Sequence, residues 1–63
     1  MEYMKTLPYT FELNNIAMMI AHGQLYYAKH ALEMMAPYYN ELDDAQRAAY
    51  DAHAARVAAE ERR

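Results

Sequence analysis

The chain has 63 residues, a formal net charge of -3 and no cysteine. Such a length makes one small domain at most, the missing thiols exclude a disulfide scaffold and thiolate metal sites, and the acidic balance disfavours general affinity for nucleic-acid phosphates. One glycine and two prolines argue against a β-rich or disordered chain.

Residues 1–9 lack a hydrophobic period and contain Pro8, so they read as an extended or frayed N-terminal arm, with Tyr3, Leu7 and Tyr9 available to pack back. Thr10 is the expected N-cap of a first helix, with Glu12 near its positive end. That helix is predicted over residues 11–36 and contains most of the large apolar side chains. At about 100° per residue its apolar positions form two adjoining seams. One holds Leu13, Ile16, Ala17, Ile20, Tyr27, Ala31 and Met34. The other, at alternating steps of three and four, holds Met18, Ala21, Leu25, Ala28, Leu32 and Met35. Together they cover roughly 200° of circumference, about twice the stripe of an ordinary surface helix. Gly23 is the weak point, costing about 1 kcal/mol relative to Ala inside a helix. Because no Ser, Thr, Asp or Asn follows to cap a new helix, it reads as a tolerated glycine where another helix approaches closely.

Pro37 disfavours helical conformation at Ala36, so the chain is expected to turn between Ala36 and Leu42. Tyr38 and Tyr39 fall in that connection. Asp43-Asp44-Ala45-Gln46 has the form of a capping box that opens a second helix over residues 43–62. Two faces of that helix compete for burial. Ala45, Ala48, Ala52, Ala55 and Ala59 make a heptad seam with Arg56 on the same side; Leu42, Ala49, Tyr50, His53 and Val57 make a rival face with larger side chains. The fold class is therefore all-α: a short connection between two helices implies an antiparallel helical hairpin, the domain covering residues 10–63.

One partner helix cannot cover two seams, so the second is expected to meet another chain. The expectation is a two-fold homodimer forming a four-helix bundle, with Met18, Ala21, Leu25, Ala28, Leu32 and Met35 in an isologous interface. Six methionines and seven tyrosines without a tryptophan also suit contact surfaces, methionine because it adapts and tyrosine because it is rigid and amphipathic. Met19, Tyr26, Tyr38 and Tyr39 are the candidates for contact with a second protein.

Enzymatic chemistry finds no support in the residues. Serine and cysteine are absent and there is no glycine-rich phosphate loop. The carboxylates Glu41, Asp43 and Asp44 are explained by capping, and no catalytic residue or cofactor is expected. His22 and His30 are eight residues apart, without the spacing of three or four that aims two imidazoles at one ion, so no metal is expected either, and His53 joins them only through hairpin register. The longest apolar run, Ile16 to Ala21, is far shorter than the ~20 residues of a membrane span. No apolar segment follows Lys5 as in a signal peptide, and the missing cysteines fit a reducing cytoplasm. A glycine between helical segments has the outline of a helix-turn-helix, which keeps a small DNA-binding transcriptional regulator as the alternative reading. Its would-be recognition segment, Gln24 to Met35, is however mainly apolar.

The stretch Glu12-Leu-Asn-Asn-Ile-Ala-Met-Met-Ile-Ala-His-Gly-Gln-Leu-Tyr-Tyr-Ala-Lys-His-Ala-Leu-Glu-Met-Met, together with the 63-residue length, resembles the small early proteins encoded in the exo/xis region of lambdoid bacteriophages. The resemblance spans essentially the whole chain and has no catalytic or binding motif to carry over residue by residue. It implies a non-enzymatic phage protein made early in the bacterial host cytoplasm. Such proteins are associated with tilting development toward lysis and with perturbing the host cell cycle.

Overall fold

In the computed structural model the backbone is described from Glu2 and side chains from Pro8 onward. The chain is all-helical, in the order α1 (Glu2–Ala21), α2 (Leu25–Met35), a 3-10 helix (Ala36–Glu41) and α3 (Asp44–Glu61). Two boundaries depart from the sequence reading. The arm expected over residues 1–9 is helical from Glu2, and Pro8 lies inside α1. Met4, Lys5 and Leu7 around it are good helix formers, and one missing amide does not end the helix. Thr10 accordingly is no N-cap, and its hydroxyl instead accepts from Gln46 Nε2 on α3 at 2.8 Å. Met1 and any packing of Tyr3 or Leu7 lie outside the described residues.

The larger departure is at Gly23. The helix expected to run over residues 11–36 is two helices, because Gly23 has φ +75, a left-handed conformation that glycine adopts without steric cost. The Gly23 amide donates to the Ile20 carbonyl at 3.0 Å and the Gln24 amide to the Met19 carbonyl at 2.8 Å. This pair of bonds is the Schellman arrangement, which satisfies two of the last carbonyls of α1. Nor does α2 need a side-chain cap to begin: Gln24 makes no capping bond, and its carbonyl simply accepts the Ala28 amide at 3.0 Å.

Beyond α2 the backbone tightens without a gap. Pro37 sits in the first turn of the 3-10 helix; Ala36, which it was expected to keep from helical conformation, is helical at φ -52 and ψ -42, and its amide donates to the Glu33 carbonyl that a residue 37 amide would otherwise meet. Leu42 is extended and closes the segment by donating to the Tyr39 carbonyl at 3.1 Å. At α3 the capping box forms as the sequence implies. The Gln46 amide donates to Asp43 Oδ1 at 2.8 Å, and the Asp43 amide donates to Gln46 Oε1 at 2.9 Å. The Gln46 side chain thus opens α3 and also reaches Thr10 on α1.

All three α-helices and Leu42 supply the core: Leu13 and Ile16 from α1, Ala28, Leu32 and Met35 from α2, Leu42, and Val57 from α3. Ile16 is fully buried, a site where truncation to Ala costs about 2–5 kcal/mol. The competition between the faces of α3 is resolved in favour of bulk. Val57 is buried and Ala49, Tyr50 and His53 are half-buried, while Ala45, Ala48, Ala52, Ala55 and Ala59 are exposed.

A Cβ added at Gly23 would meet no atom within 4 Å, so its effect is purely one of backbone conformation. Gly23→Ala is expected to destabilise the fold by about 1 kcal/mol, because Ala resists the left-handed region. Gly23→Asn should lose less. An uninterrupted helix would instead gain about 1 kcal/mol from Ala, so the sign of the change in urea denaturation checks the break.

Candidate interaction surface

The break at Gly23 exchanges the seams. On α1 the core takes the first seam, Leu13 and Ile16, with Ile20 packed at its edge. On α2 it takes the second, Ala28, Leu32 and Met35. The row expected to bind a second copy is therefore divided. Ala28, Leu32 and Met35 are buried inside the chain's own fold, Leu25 is half-buried, and Met18 and Ala21 remain exposed. Residues that a straight helix would have turned inward are left at the surface: Tyr27 is 62% exposed and Met34 is 64% exposed.

These side chains border a groove of about 520 Å³ between α1, α2 and the 3-10 helix. Met19, Ala31 and Met35 are its more buried members, and Tyr27, Met34 and Tyr38 its exposed ones. Pro8, Tyr9, Glu12 and His30 complete the rim. Tyr9 is held at one end, its ring 6.0 Å from that of Tyr38 and its hydroxyl donating to Glu41 Oε1 at 2.9 Å. Of the expected contact residues, Met19 and Tyr38 line this groove. Tyr26 lies outside it, 79% exposed, with its ring edge-on to Tyr27 at 5.6 Å.

Tyr39 has a different role. It packs against the core, meets Tyr50 edge-on at 5.3 Å, and donates to the Asp51 carboxylate, 3.0 Å from either oxygen. The Arg47 guanidinium lies 5.7 Å from the Tyr39 ring centroid and donates to the Tyr39 and Asn40 carbonyls. The residue thus ties the 3-10 helix to α3 and presents little free surface. Tyr9, Tyr27 and Met34 were not singled out as contact residues by sequence, and Gly23, read as a cap rather than a tolerated interior glycine, was the signal that could have found them.

Two of the three histidines contact backbone carbonyls. His22 Nδ1 lies 2.9 Å from the Met18 carbonyl, and His53 Nε2 is 3.1 Å from the Leu13 carbonyl, joining α3 to α1. His30 lies on the groove rim. Among the described residues no three His, Asp or Glu side chains come together as a metal site, and no helix is long and apolar enough to cross a membrane. The cations mostly face carboxylates: Lys29 with Glu61 at 3.2 Å, Arg56 and Arg63 with Glu60 at 3.1 and 3.5 Å, and Arg47 near Asp44 at 3.9 Å. Exposed pairs of this kind contribute little stability, but they place the positive charge among acids rather than in an uninterrupted basic patch.

Comparison with protein-family models, curated proteins and solved structures finds no match for this chain.

Three phenols lie above the ordinary value of 10.0: Tyr9 through its hydrogen bond to Glu41, Tyr39 through its bond to Asp51, and Tyr50 through burial. A phenol whose folded pKa is raised contributes stability that is complete below the unfolded pKa and disappears as pH climbs through the folded one. Wild type is therefore expected to lose more stability between about pH 9 and about pH 11 than Tyr39→Phe does. Urea denaturation at the two pH values checks this, and ultraviolet titration should show one late phenol fewer in the variant.

Proposed function

We propose that this chain is a non-enzymatic regulatory protein of a lambdoid phage, acting in the host cytoplasm by protein–protein contact on the lysis–lysogeny decision and the host cell cycle. The phage assignment is supported by the resemblance carried by Glu12 to Met35. Action by contact is supported by one observation above the rest: Tyr27 and Met34, both large and more than 60% exposed, border an apolar groove. A small chain leaves such residues together at its surface at a cost in solubility, and grouped apolar exposure marks interaction sites.

Self-association belongs to the same reading. The contacts between α2 and α3 support a hairpin with antiparallel arms, since Lys29 meets Glu61 near one end while Tyr50 reaches the Leu32 carbonyl further along. The four-helix bundle expected from a two-helix chain gives way to six α-helices in two copies, since each chain contributes three, joined through the outward part of the expected row, Met18, Ala21 and Leu25. Because Leu32 is core, Leu32→Asp unfolds the chain whether or not it dimerises, and Leu25→Asp becomes the informative change. Leu25→Asp should shift sedimentation toward monomer, while Lys29→Asp exchanges an exposed ion pair with Glu61 for an exposed repulsion and leaves assembly intact; equal sedimentation of all three proteins counts against the dimer.

The regulatory reading is tested in infected bacteria. Expressing the wild-type chain during infection by a lambdoid phage should lower the frequency of lysogens. Met34→Lys, which places a charge on an exposed position and leaves the core untouched, should abolish the shift while keeping the helical circular-dichroism spectrum. A wild-type chain without effect on lysogen frequency, or a variant as effective as wild type, removes the support.

A further inference from the structure

The groove carries a charge asymmetry that specifies its occupant. Its floor and walls are thioether and aromatic: Met19, Met34 and Met35 with Tyr27 and Tyr38. The titratable side chains of the lining other than the phenols are Glu12, which is half-buried, and His30, which is exposed; Glu41 lies outside the lining and accepts from the hydroxyl of the lining residue Tyr9. Among the described residues neither carboxylate has a cation within ion-pair distance. Lys29, Arg47, Arg56 and Arg63 are instead drawn to Glu61, Asp44 and Glu60.

We propose that this groove docks a basic amphipathic helix of another protein, its apolar stripe against the methionines and tyrosines and its Lys or Arg side chains toward Glu12 and Glu41. The inference rests on the contact-based function above and adds the chemistry of the partner. A trough between helices is the receiving half of helix-in-groove recognition, and methionine is the side chain that moulds to such a stripe. A small-molecule site would need several polar groups converging on the interior, whereas this lining is mainly apolar. A second copy of this chain brings no excess of cations to meet Glu12, since the protein carries a net charge of -3. Phosphate backbones meet the same negative balance.

The probe is a synthetic 18-residue helical peptide with leucines along one face and lysines on the other, set against the same peptide with glutamates in place of the lysines. Both are titrated into the full chain carrying carbon-13 in its methionine methyl groups. The lysine peptide is expected to bind about tenfold or more tighter than the glutamate peptide at low salt. Its binding should shift the methyl signals of Met19, Met34 and Met35 and spare Met18, which is exposed away from the groove. Glu12→Gln should reduce the preference for lysine, and Met34→Lys should weaken the lysine peptide severalfold with the helical spectrum preserved. Equal binding of both peptides, no binding, a shift confined to Met18, or groove methyls already covered by a second copy in mixed-label samples would each overturn the proposal. If the peptides fail while Met34→Lys still cancels the effect on lysogeny, this inference falls and the regulatory reading stands; a chain without effect on lysogeny that still selects the lysine peptide gives the reverse.

Discussion

The arrangement depends on one backbone angle. Gly23 adopts φ +75, and the two hydrogen bonds that close α1 around it let α2 leave in a new direction. A straight rod from Leu13 to Met35 would present one face to one neighbour along its whole length. The bent version presents Leu13 and Ile16 from one half and Ala28, Leu32 and Met35 from the other, so that a single core forms from two different seams. What would have been the inner face of the second half, Tyr27 and Met34, is the surface that remains. The candidate site is thus a by-product of making a core in a short chain.

With the bend in place, long polar side chains complete the packing of α3. Its buried face has only Val57 as a fully buried apolar residue, and alanines cannot reach far. Tyr50 reaches across to the Leu32 carbonyl at 2.8 Å, His53 to the Leu13 carbonyl at 3.1 Å, and Gln46 to Thr10 at 2.8 Å. Each sets α3 against a particular residue of a neighbour, and among the described residues no buried side-chain polar atom is left without a partner. A hydrogen bond adds only about 1 kcal/mol of net stability, but directional bonds select one alignment among the several that an alanine-rich helix would tolerate.

These same features decide what could be read from sequence. The helical class, the position of α3 and its capping box were legible, because they rest on local pattern: Asp43 and Gln46 at a spacing of three, then an alanine-rich run without Gly or Pro. The core half of each seam was legible as a set of residues but not as an assignment. Periodicity reports which side chains share a face only while the helix stays straight, and a glycine with helical residues on both sides has two readings. The missing N-cap after Gly23 weighed toward continuity, yet Gln24 shows that a carbonyl alone can start the next helix. Pro8 erred in the opposite sense: it suggested an end where the helix persists. The two faces of α3 were left competing because the alanine seam has the cleaner period; a perfect heptad of small residues nonetheless has little apolar area to bury, and Leu42, Tyr50 and Val57 outweigh it.

The groove and the core are not independent structures. Met35 is 5% exposed and belongs to the core, while it also lines the groove; Met19 and Ala31 pack against the same core and line the same groove. A side chain that leans on the floor of the groove therefore leans on the core itself. Chains of this length bury only about 60% of their unfolded surface and have little stability in reserve, so covering Met35 from outside bears on folding as well as on recognition. Any occupant that binds only the folded form raises its stability by mass action. The exposed Tyr27 and Met34 are then consistent with a fold that is adequate alone and firmer in company. On the proposed reading Glu12 bears on which company that is, since charge beside an apolar trough steers association and disfavours like-charged surfaces.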